Sequence, residues 1–332
     1  MNQIMRIKIN KIIIGLIIFS IIGNLFFIII EPKASDLETW IMTAKALLKR
    51  SDFYEAAFIP GHYFAYPPLF AEAIIFPIAL LFNPYNEFQF LLALRVVFLL
   101  CNVLIGIVLW KLFRIKKPTM LALWVLNPLV WSISQYQFDS IVALFLMLSV
   151  YFFIRKKVII SGFFAGISIA LKLYPIIIVP FLLLKLRNNL ERIKYFLSLT
   201  IVPSISCLPF LSSKFFLKSV FEFNISRGLI HLFLLTYFLI LILAMILKRS
   251  LIESMASILM LFCVFYVGIY SIQYLVIVLP FLLLNLNFHQ TKINFLIYNS
   301  IWINSFLLRH TPFLYRRISF NIPQSFTSYL IY

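Results

Sequence analysis

Long uninterrupted hydrophobic runs constrain the fold of this chain more than any other feature of its sequence. Hydrophobic residues account for 63% of its 332 residues and charged residues for only 12%, about half of the roughly 25% that soluble domains carry. Many runs approach the length that crosses a hydrocarbon core of about 30 Å. Because they do not alternate polar and apolar residues, they predict helices rather than the strands of a membrane barrel. The sequence therefore predicts an all-α polytopic membrane protein.

The positive charge of the chain follows the hydrophobic runs. The net charge is +18, and Lys and Arg form short clusters at the ends of runs, as at 114–117 and 155–157. This placement is typical of the positive-inside bias and of contact with anionic lipid headgroups. We therefore expect membrane lipids as partners and no nucleic acid. A cytoplasmic N-terminus and a retained first span near residues 12–30 fit the same bias.

The number of spans depends on the stretch 69–82, which is short and contains Pro77. If this stretch crosses the membrane, the cluster 114–117 falls outside, whereas an interfacial position puts the later basic clusters inside. We therefore predict a juxtamembrane helix here and about 11 transmembrane helices in all. The tail after Arg309 then falls outside although it is basic, which conflicts with the charge rule. The predicted later spans are 90–112, 119–133, 140–154, 158–171, 175–185, 195–211, 231–247, 252–268, 274–288 and 292–308.

Most of the acidic residues lie in the loop that follows the first span. The chain has only 11 Asp and Glu residues, and carboxylates at a membrane need water or a charged partner. In this loop Ser35 and Glu38 have the spacing of a capping box. The apolar positions after them predict an amphipathic helix lying on the membrane, with Asp36 in its first turn. The loop is therefore a candidate functional region outside the cytoplasm.

Short polar segments share the outer side with this loop. They lie at 135–139, 172–175, 212–230 and 271–274, and their charged residues include Asp139, Lys172 and Arg227. Arg95 lies near the outer end of its span. Carboxylates that face cations suit a reaction in which a base removes a hydroxyl proton while cations hold a departing phosphate.

Three of these residues also have a plainer explanation. Asp36 can complement the helix dipole, and Lys172 can extend its charge to water from between short apolar helices. Arg95 can form a structural ion pair with a carboxylate of the first loop. The cysteines and histidines lack metal-ligand spacing, so we expect neither a metal nor a cofactor.

A series of short motifs follows in a fixed order. They are Ser35-Asp36, Phe53-Tyr54, Tyr66-Pro67-Pro68-Leu69, Asn127-Pro128, Gln137-Phe138-Asp139, Lys172-Leu173-Tyr174-Pro175, Gln273-Tyr274 and Pro280. In this order, and on the outer side of the membrane, they resemble the GT-C superfamily of glycosyltransferases over about residues 1–285. The resemblance is nearest to the polyprenol-phosphate-mannose-dependent mannosyltransferases.

The resemblance implies a fold, a reaction and roles for named residues. The fold is a multi-span GT-C fold with a shared first set of seven helices and two juxtamembrane helices in the first extracytoplasmic loop. The reaction is an inverting transfer of a sugar, most often mannose, from a polyprenyl-phosphate carrier to a lipid or lipid-linked glycan acceptor. An acidic residue of the first loop acts as base, either Asp36 or Glu38. The expected catalytic residues are Asp36, Asp139 and Glu38, and the expected substrate-binding residues are Lys172, Arg95, Arg227, Tyr66, Gln137 and Tyr174.

The chain is expected to divide into a catalytic module, 1–211, and C-terminal helices with a tail, 212–332. The protein is expected to be located in the cell membrane, with its active site on the extracytoplasmic face. The alternatives are a transporter or lipid-linked saccharide flippase, a membrane scaffold, and a transferase of another lipid-linked group. Transporters often carry internal repeats and mid-membrane helix breaks. The sequence shows no repeat and gathers its carboxylates in an outer loop, which favours sugar transfer.

Overall fold

The computed structural model describes residues 3–30, 35–58, 64–113, 118–133, 135–222, 230–246, 255, 259 and 274–289. Its α-helices, numbered in chain order, are α1 (Gln3–Ile30), α2 (Ser35–Leu48), α3 (Phe53–Ala56), α4 (Phe76–Leu81), α5 (Glu87–Ile107), α6 (Pro118–Val125), α7 (Pro128–Ile133), α8 (Asp139–Ile154), α9 (Val158–Leu171), α10 (Val179–Lys185), α11 (Asn189–Cys207), α12 (Lys214–Leu217), α13 (Ile230–Ile246) and α14 (Leu275–His289). All belong to one compact unit, Met1–Gln290. Because the described residues form helices and no strand, the predicted all-α class is confirmed for them.

Single turns of other helix types extend or join these elements. One π-helical turn lies at Ala71–Ile75, just before α4. Another lies at Val108–Leu112 and continues α5. A third follows α12 at Lys218–Glu222. A 3₁₀ turn at Tyr174–Ile178 leads into α10, and another at Leu208–Phe210 ends α11.

Among the described residues, three helices are long and apolar enough to cross a membrane. They are Lys11–Ile28, Glu87–Leu112 and Asn189–Phe210. The apolar helices α8 and α9 have 16 and 14 residues and at 1.5 Å per residue extend about 20–24 Å. The predicted membrane character of the chain is therefore confirmed. The total of about 11 spans includes residues outside the described ranges and stays a prediction.

The stretch 119–133, predicted as one span, is not one continuous helix, because the structure divides it into α6 and α7. Pro128 opens α7 and supplies no backbone N–H, and a proline disfavours helical geometry in the residue before it, here Asn127. The break frees backbone carbonyls of α6. The indole of Trp131 donates to the Val125 carbonyl at 2.9 Å and satisfies one of them.

Helix α2 begins at Ser35, as the capping pattern predicts, and its apolar face is buried. Leu37, Trp40, Ile41 and Ala44 all lie below 4% exposure. This face packs against α4, α5 and the π-helical turn before α4. The sequence predicted that it would rest on lipid, whereas the structure buries it in protein. Neighbouring helices, and not lipid, therefore cover the apolar face of α2.

Small residues let α9 pack directly on the backbone of α11. A Cβ atom added at Gly162 would lie 2.5 Å from the Tyr195 carbonyl oxygen, and one added at Gly166 would meet the Leu199 carbonyl oxygen. Close approach through small residues four apart is common between membrane helices. The hydroxyl of Ser198 donates to the Ile159 carbonyl at 2.8 Å across the same interface. Helices α9 and α11 are therefore packed in direct backbone contact.

Gly166→Ala is expected to destabilise the protein by about 1–3 kcal/mol, because the new methyl group has backbone rather than a movable side chain in its way. The matched control is Gly15→Ala, since nothing lies within 4 Å of a Cβ at that position. In a helix, Gly→Ala without a clash gains up to about 1 kcal/mol. Unfolding of both variants in mixed detergent micelles measures the difference. Equal unfolding midpoints would show that α9 and α11 do not pack this closely.

Candidate active site

A buried ion pair joins the start of α8 to the end of α9. Asp139 is the first residue of α8 and is 0% exposed, and Lys172 follows α9 and is 1% exposed. The Lys172 Nζ lies 3.0 Å from Asp139 Oδ1 and 2.9 Å from Oδ2. The hydroxyl of Tyr174 also donates to Oδ1, at 3.1 Å. Three residues that the sequence assigned to the site therefore come together.

Aromatic rings enclose the ammonium group of Lys172. Its Nζ lies 4.8 Å from the ring centroid of Phe138, 5.0 Å from those of Tyr66 and Tyr274, and 6.0 Å from that of Tyr174. Each distance is within the range of cation–π attraction. The predicted site residue Tyr66 thus lies in the same cluster. Its rings and Asp139 together surround the lysine charge and leave it almost no contact with solvent.

A second contact links the first loop to the segment before α8. Asp36 lies in the first turn of α2 and is half-buried, and the Gln137 Nε2 donates a hydrogen bond to its Oδ2. Gln137 is 0% exposed. Glu38, the other carboxylate of this turn, is exposed. The structure therefore brings Asp36 to the Gln137-Phe138-Asp139 motif.

Arg95 on α5 donates hydrogen bonds to two backbone carbonyls. Its Nε donates to the Gln135 carbonyl at 3.0 Å and its Nη1 to the Ile28 carbonyl at 2.9 Å. These bonds tie the last turn of α1 to the segment before α8. The predicted role of Arg95 in substrate binding remains a prediction. Arg227, the remaining predicted cation, lies outside the described residues.

An aromatic layer that the sequence analysis did not identify supports the site. Phe138 stacks on Phe70 with ring centroids 3.8 Å apart. Trp40 of α2 contacts Phe70, Phe98 and Phe138 edge-on at 5.4–6.1 Å. The four rings join α2, α5 and the segments 64–70 and 135–139. Single aromatic residues in an apolar sequence give no signal of such a layer, and Tyr274 was likewise noted only as part of a motif.

Two further carboxyl groups and one phenol lie between α2 and α5. Asp52 caps α3 by accepting from the Tyr54 N–H at 2.9 Å, and it also accepts from the Ser213 hydroxyl at 2.7 Å. Burial raises the pKa of the Glu72 carboxyl. Burial, and then the nearby ionisable groups of Cys207, Glu72 and Asp52, raise the pKa of Tyr54 well above its usual value. Tyr54 therefore stays a neutral phenol, and it donates to the Tyr66 carbonyl at 2.8 Å.

Comparison with known proteins gives the class to which this fold and site correspond. Residues 64–226 match the family model of Glycosyltransferase family 87, a range that contains Gln137, Asp139 and Lys172. The predicted enzyme class, a glycosyltransferase, is thereby confirmed. The helical fold and this match together define an integral membrane glycosyltransferase module.

The chain is similar to curated proteins named GPI mannosyltransferase 1 from three yeasts. The identity is 35% over 108 residues with the protein of Debaryomyces hansenii, covering 29% of this chain and 26% of the relative. It is 29% over 161 residues with that of Candida albicans, covering 41% and 39%, and 34% over 89 residues with that of Kluyveromyces lactis, covering 25% and 22%. The resemblance to membrane mannosyltransferases is thus confirmed. The matches span between 22% and 39% of the relatives' own length.

Proposed function

We propose that this protein is an inverting mannosyltransferase that uses a polyprenyl-phosphate-linked mannose donor. Its acceptor is a lipid-linked glycan or glycolipid at the extracytoplasmic face of the cell membrane. The names of the relatives support mannose as the sugar. The observation that carries the proposal is the hydrogen bond between Gln137 and Asp36. It brings a carboxylate of the first outer loop to a buried polar motif of the glycosyltransferase module.

The proposed reaction is a single displacement with Asp36 as general base. Asp36 accepts the proton of the acceptor hydroxyl while that oxygen attacks the anomeric carbon from the face opposite the phosphate. The bond between the anomeric carbon and the phosphate oxygen breaks, and its electron pair leaves with the phosphate. A positioned base contributes typically 10²–10⁴-fold to such a step. Asp36 is preferred to Glu38 because Gln137 orients it.

The charge on the departing phosphate needs a cation or several N–H donors. The cations predicted from the sequence for substrate binding are Lys172, Arg95 and Arg227. The charge of Lys172 is already balanced by Asp139 at 2.9 Å, and Arg95 donates to two backbone carbonyls. Arg227 is therefore the cation that we assign to the phosphate.

The architecture that we propose around this site is the GT-C fold with about 11 transmembrane helices and a cytoplasmic N-terminus. Helix α2 and the stretch 69–82 are the two juxtamembrane helices of the first loop. The catalytic module is 1–211, and 212–332 adds C-terminal helices and the tail. The apolar lengths of α1, α5 and α11 support this arrangement.

The test is sugar transfer by purified protein in lipid vesicles. Radiolabelled polyprenyl-phosphate mannose, polyprenyl-phosphate glucose and GDP-mannose are offered in parallel, with a membrane lipid extract as acceptor. We expect label in a lipid product from polyprenyl-phosphate mannose alone, in a linkage of inverted anomeric configuration that linkage-specific mannosidases identify. Transfer from GDP-mannose alone would contradict the lipid donor. Movement of the labelled lipid across the bilayer without any transfer, by folded protein, would favour the flippase alternative.

A further inference from the structure

We propose that Gln137 is a positioning residue for the Asp36 carboxylate and that the buried Asp139–Lys172 ion pair holds Gln137 in place. The inference rests on the proposed function, in which Asp36 is the base. It assigns Gln137, Asp139 and Lys172 to the support of the base rather than to direct contact with the sugar or phosphate. These roles differ from the catalytic and substrate-binding roles that the sequence suggested for the same residues.

The hydrogen bond fixes the orientation of both side chains. An ionised carboxylate only accepts hydrogen bonds, so the amide nitrogen of Gln137 has to face Asp36. Nε2 donates to Asp36 Oδ2. Gln137 Oε1 is buried and has no hydrogen-bond partner among the described residues. The contact with Asp36 is therefore the interaction that sets the direction of this amide.

The backbone of Gln137 is held on both sides. Its N–H donates to the Ile133 carbonyl at 3.0 Å. On one side the Gln135 carbonyl accepts from Arg95. On the other side, Phe138 is stacked on Phe70 and Asp139 is bound by Lys172 through both carboxylate oxygens. A side chain whose neighbours are fixed in this way can hold a reacting group in a narrow range of positions.

The burial of Lys172 separates this role from phosphate binding. A cation that holds a phosphate has to present N–H donors to it, whereas the Lys172 ammonium is 1% exposed, paired with Asp139 and surrounded by four aromatic rings. A buried ion pair of this kind contributes little net stability but fixes the geometry of the segments that it joins. Here it joins the segment carrying Gln137 to the end of α9.

The experiment is a double-substitution cycle on the transfer reaction, with Gln137→Met, Asp36→Asn and both together in vesicles. Met keeps the length of Gln but has no donor. We expect Gln137→Met to lower kcat about 10- to 100-fold, the scale of a base displaced by about an ångström, with KM for the donor unchanged. In the Asp36→Asn protein the same substitution should change the residual rate by less than about twofold, because no base remains to be positioned.

The matched control is Gln135→Met, which removes another buried amide of the same segment. Gln135 Nε2 donates to the Trp131 carbonyl at 2.7 Å and not to Asp36. Gln135→Met should therefore lower kcat by the same factor whether position 36 holds Asp or Asn. If Gln137→Met does not fold, Gln137→Leu replaces it, since it is also apolar, of similar size and without a donor.

Each outcome supports or overturns the proposal. Equal losses from Gln137→Met with and without Asp36, or a raised KM at unchanged kcat, would overturn it and return Gln137 to substrate binding. Full activity of Asp36→Asn would show that Asp36 is not the general base and that Gln137 has no positioning role. It would leave the proposed transferase function unchanged. Folded wild-type protein that transfers no sugar would overturn both this inference and the proposed function.

Discussion

Asp36→Asn is expected to lower sugar transfer by 10²–10⁴-fold while the protein stays folded. An amide has the shape of the carboxylate but cannot accept the proton of the acceptor hydroxyl, so the contribution of the general base is lost. The structural cost is small. Asp36 is half-buried at the start of α2, and the loss of a negative charge in a first helical turn costs about 0.3–1 kcal/mol. The single-turnover rate and the unfolding midpoint, measured on one preparation, separate the two effects.

Two other carboxylates of the same loop complete this test. Glu55→Gln is the control, since Glu55 is exposed on α3 and has no proposed part in the reaction, and this variant should transfer at the wild-type rate. Glu38→Gln decides between the two bases that the sequence left open. A full rate in Asp36→Asn combined with a lost rate in Glu38→Gln would assign the base to Glu38.

Lys172→Met is expected to destabilise the protein by about 3–5 kcal/mol, the usual effect of removing one partner of a buried ion pair. The loss arises because the Asp139 carboxylate, 0% exposed, is left without its counter-charge. The aromatic cluster also loses its cation–π contacts. Transfer should fall as well, because the segment that carries Gln137 is no longer held. Unfolding in mixed micelles and kcat together measure these effects.

The double variant Asp139→Leu with Lys172→Met tests the reason for this loss. Two apolar side chains of similar volume leave no buried charge, and such replacements are often neutral in stability. We expect the double variant to recover most of the stability and much of kcat. The recovery should be incomplete, because the Tyr174 hydroxyl loses the partner to which it donates at 3.1 Å. A stable double variant with a strongly raised donor KM would mean that Lys172 binds the phosphate after all.

Local sequence patterns were sufficient to predict where α2 begins and which of its faces is apolar. A residue that commonly caps helices stands at position 35, and Leu37, Ile41 and Ala44 recur at helical spacing. They did not show that this face packs against protein, since the prediction placed it on lipid. The break between α6 and α7 was also present in the sequence, at Asn127-Pro128, but the length of the apolar run outweighed it in the prediction. Hydrophobicity alone does not distinguish one span from two half-length helices.

The contacts within the site could not be predicted from local sequence patterns. Gln137 and Asp36 lie 101 positions apart in the chain, and Lys172 and Asp139 lie 33 apart. The topology predicted from the charge distribution placed these residues on one side of the membrane. That was enough to select them together as candidate site residues. It gave no sign that Asp139 pairs with Lys172 or that Gln137 bonds to Asp36. It also gave no sign that Tyr274 would close the aromatic cluster.

The sequence by itself determined that this protein is helical, belongs in a membrane and carries most of its few carboxylates in the stretch that follows the first hydrophobic run. Those properties follow from side-chain hydrophobicity and charge, which act at each residue whatever its neighbours in space. Only the tertiary structure decided which charges are free and which are paired. A pair forms when packing brings two distant groups within about 3 Å and removes water from both. That outcome depends on how α2, α8 and α9 meet, and no local pattern records it.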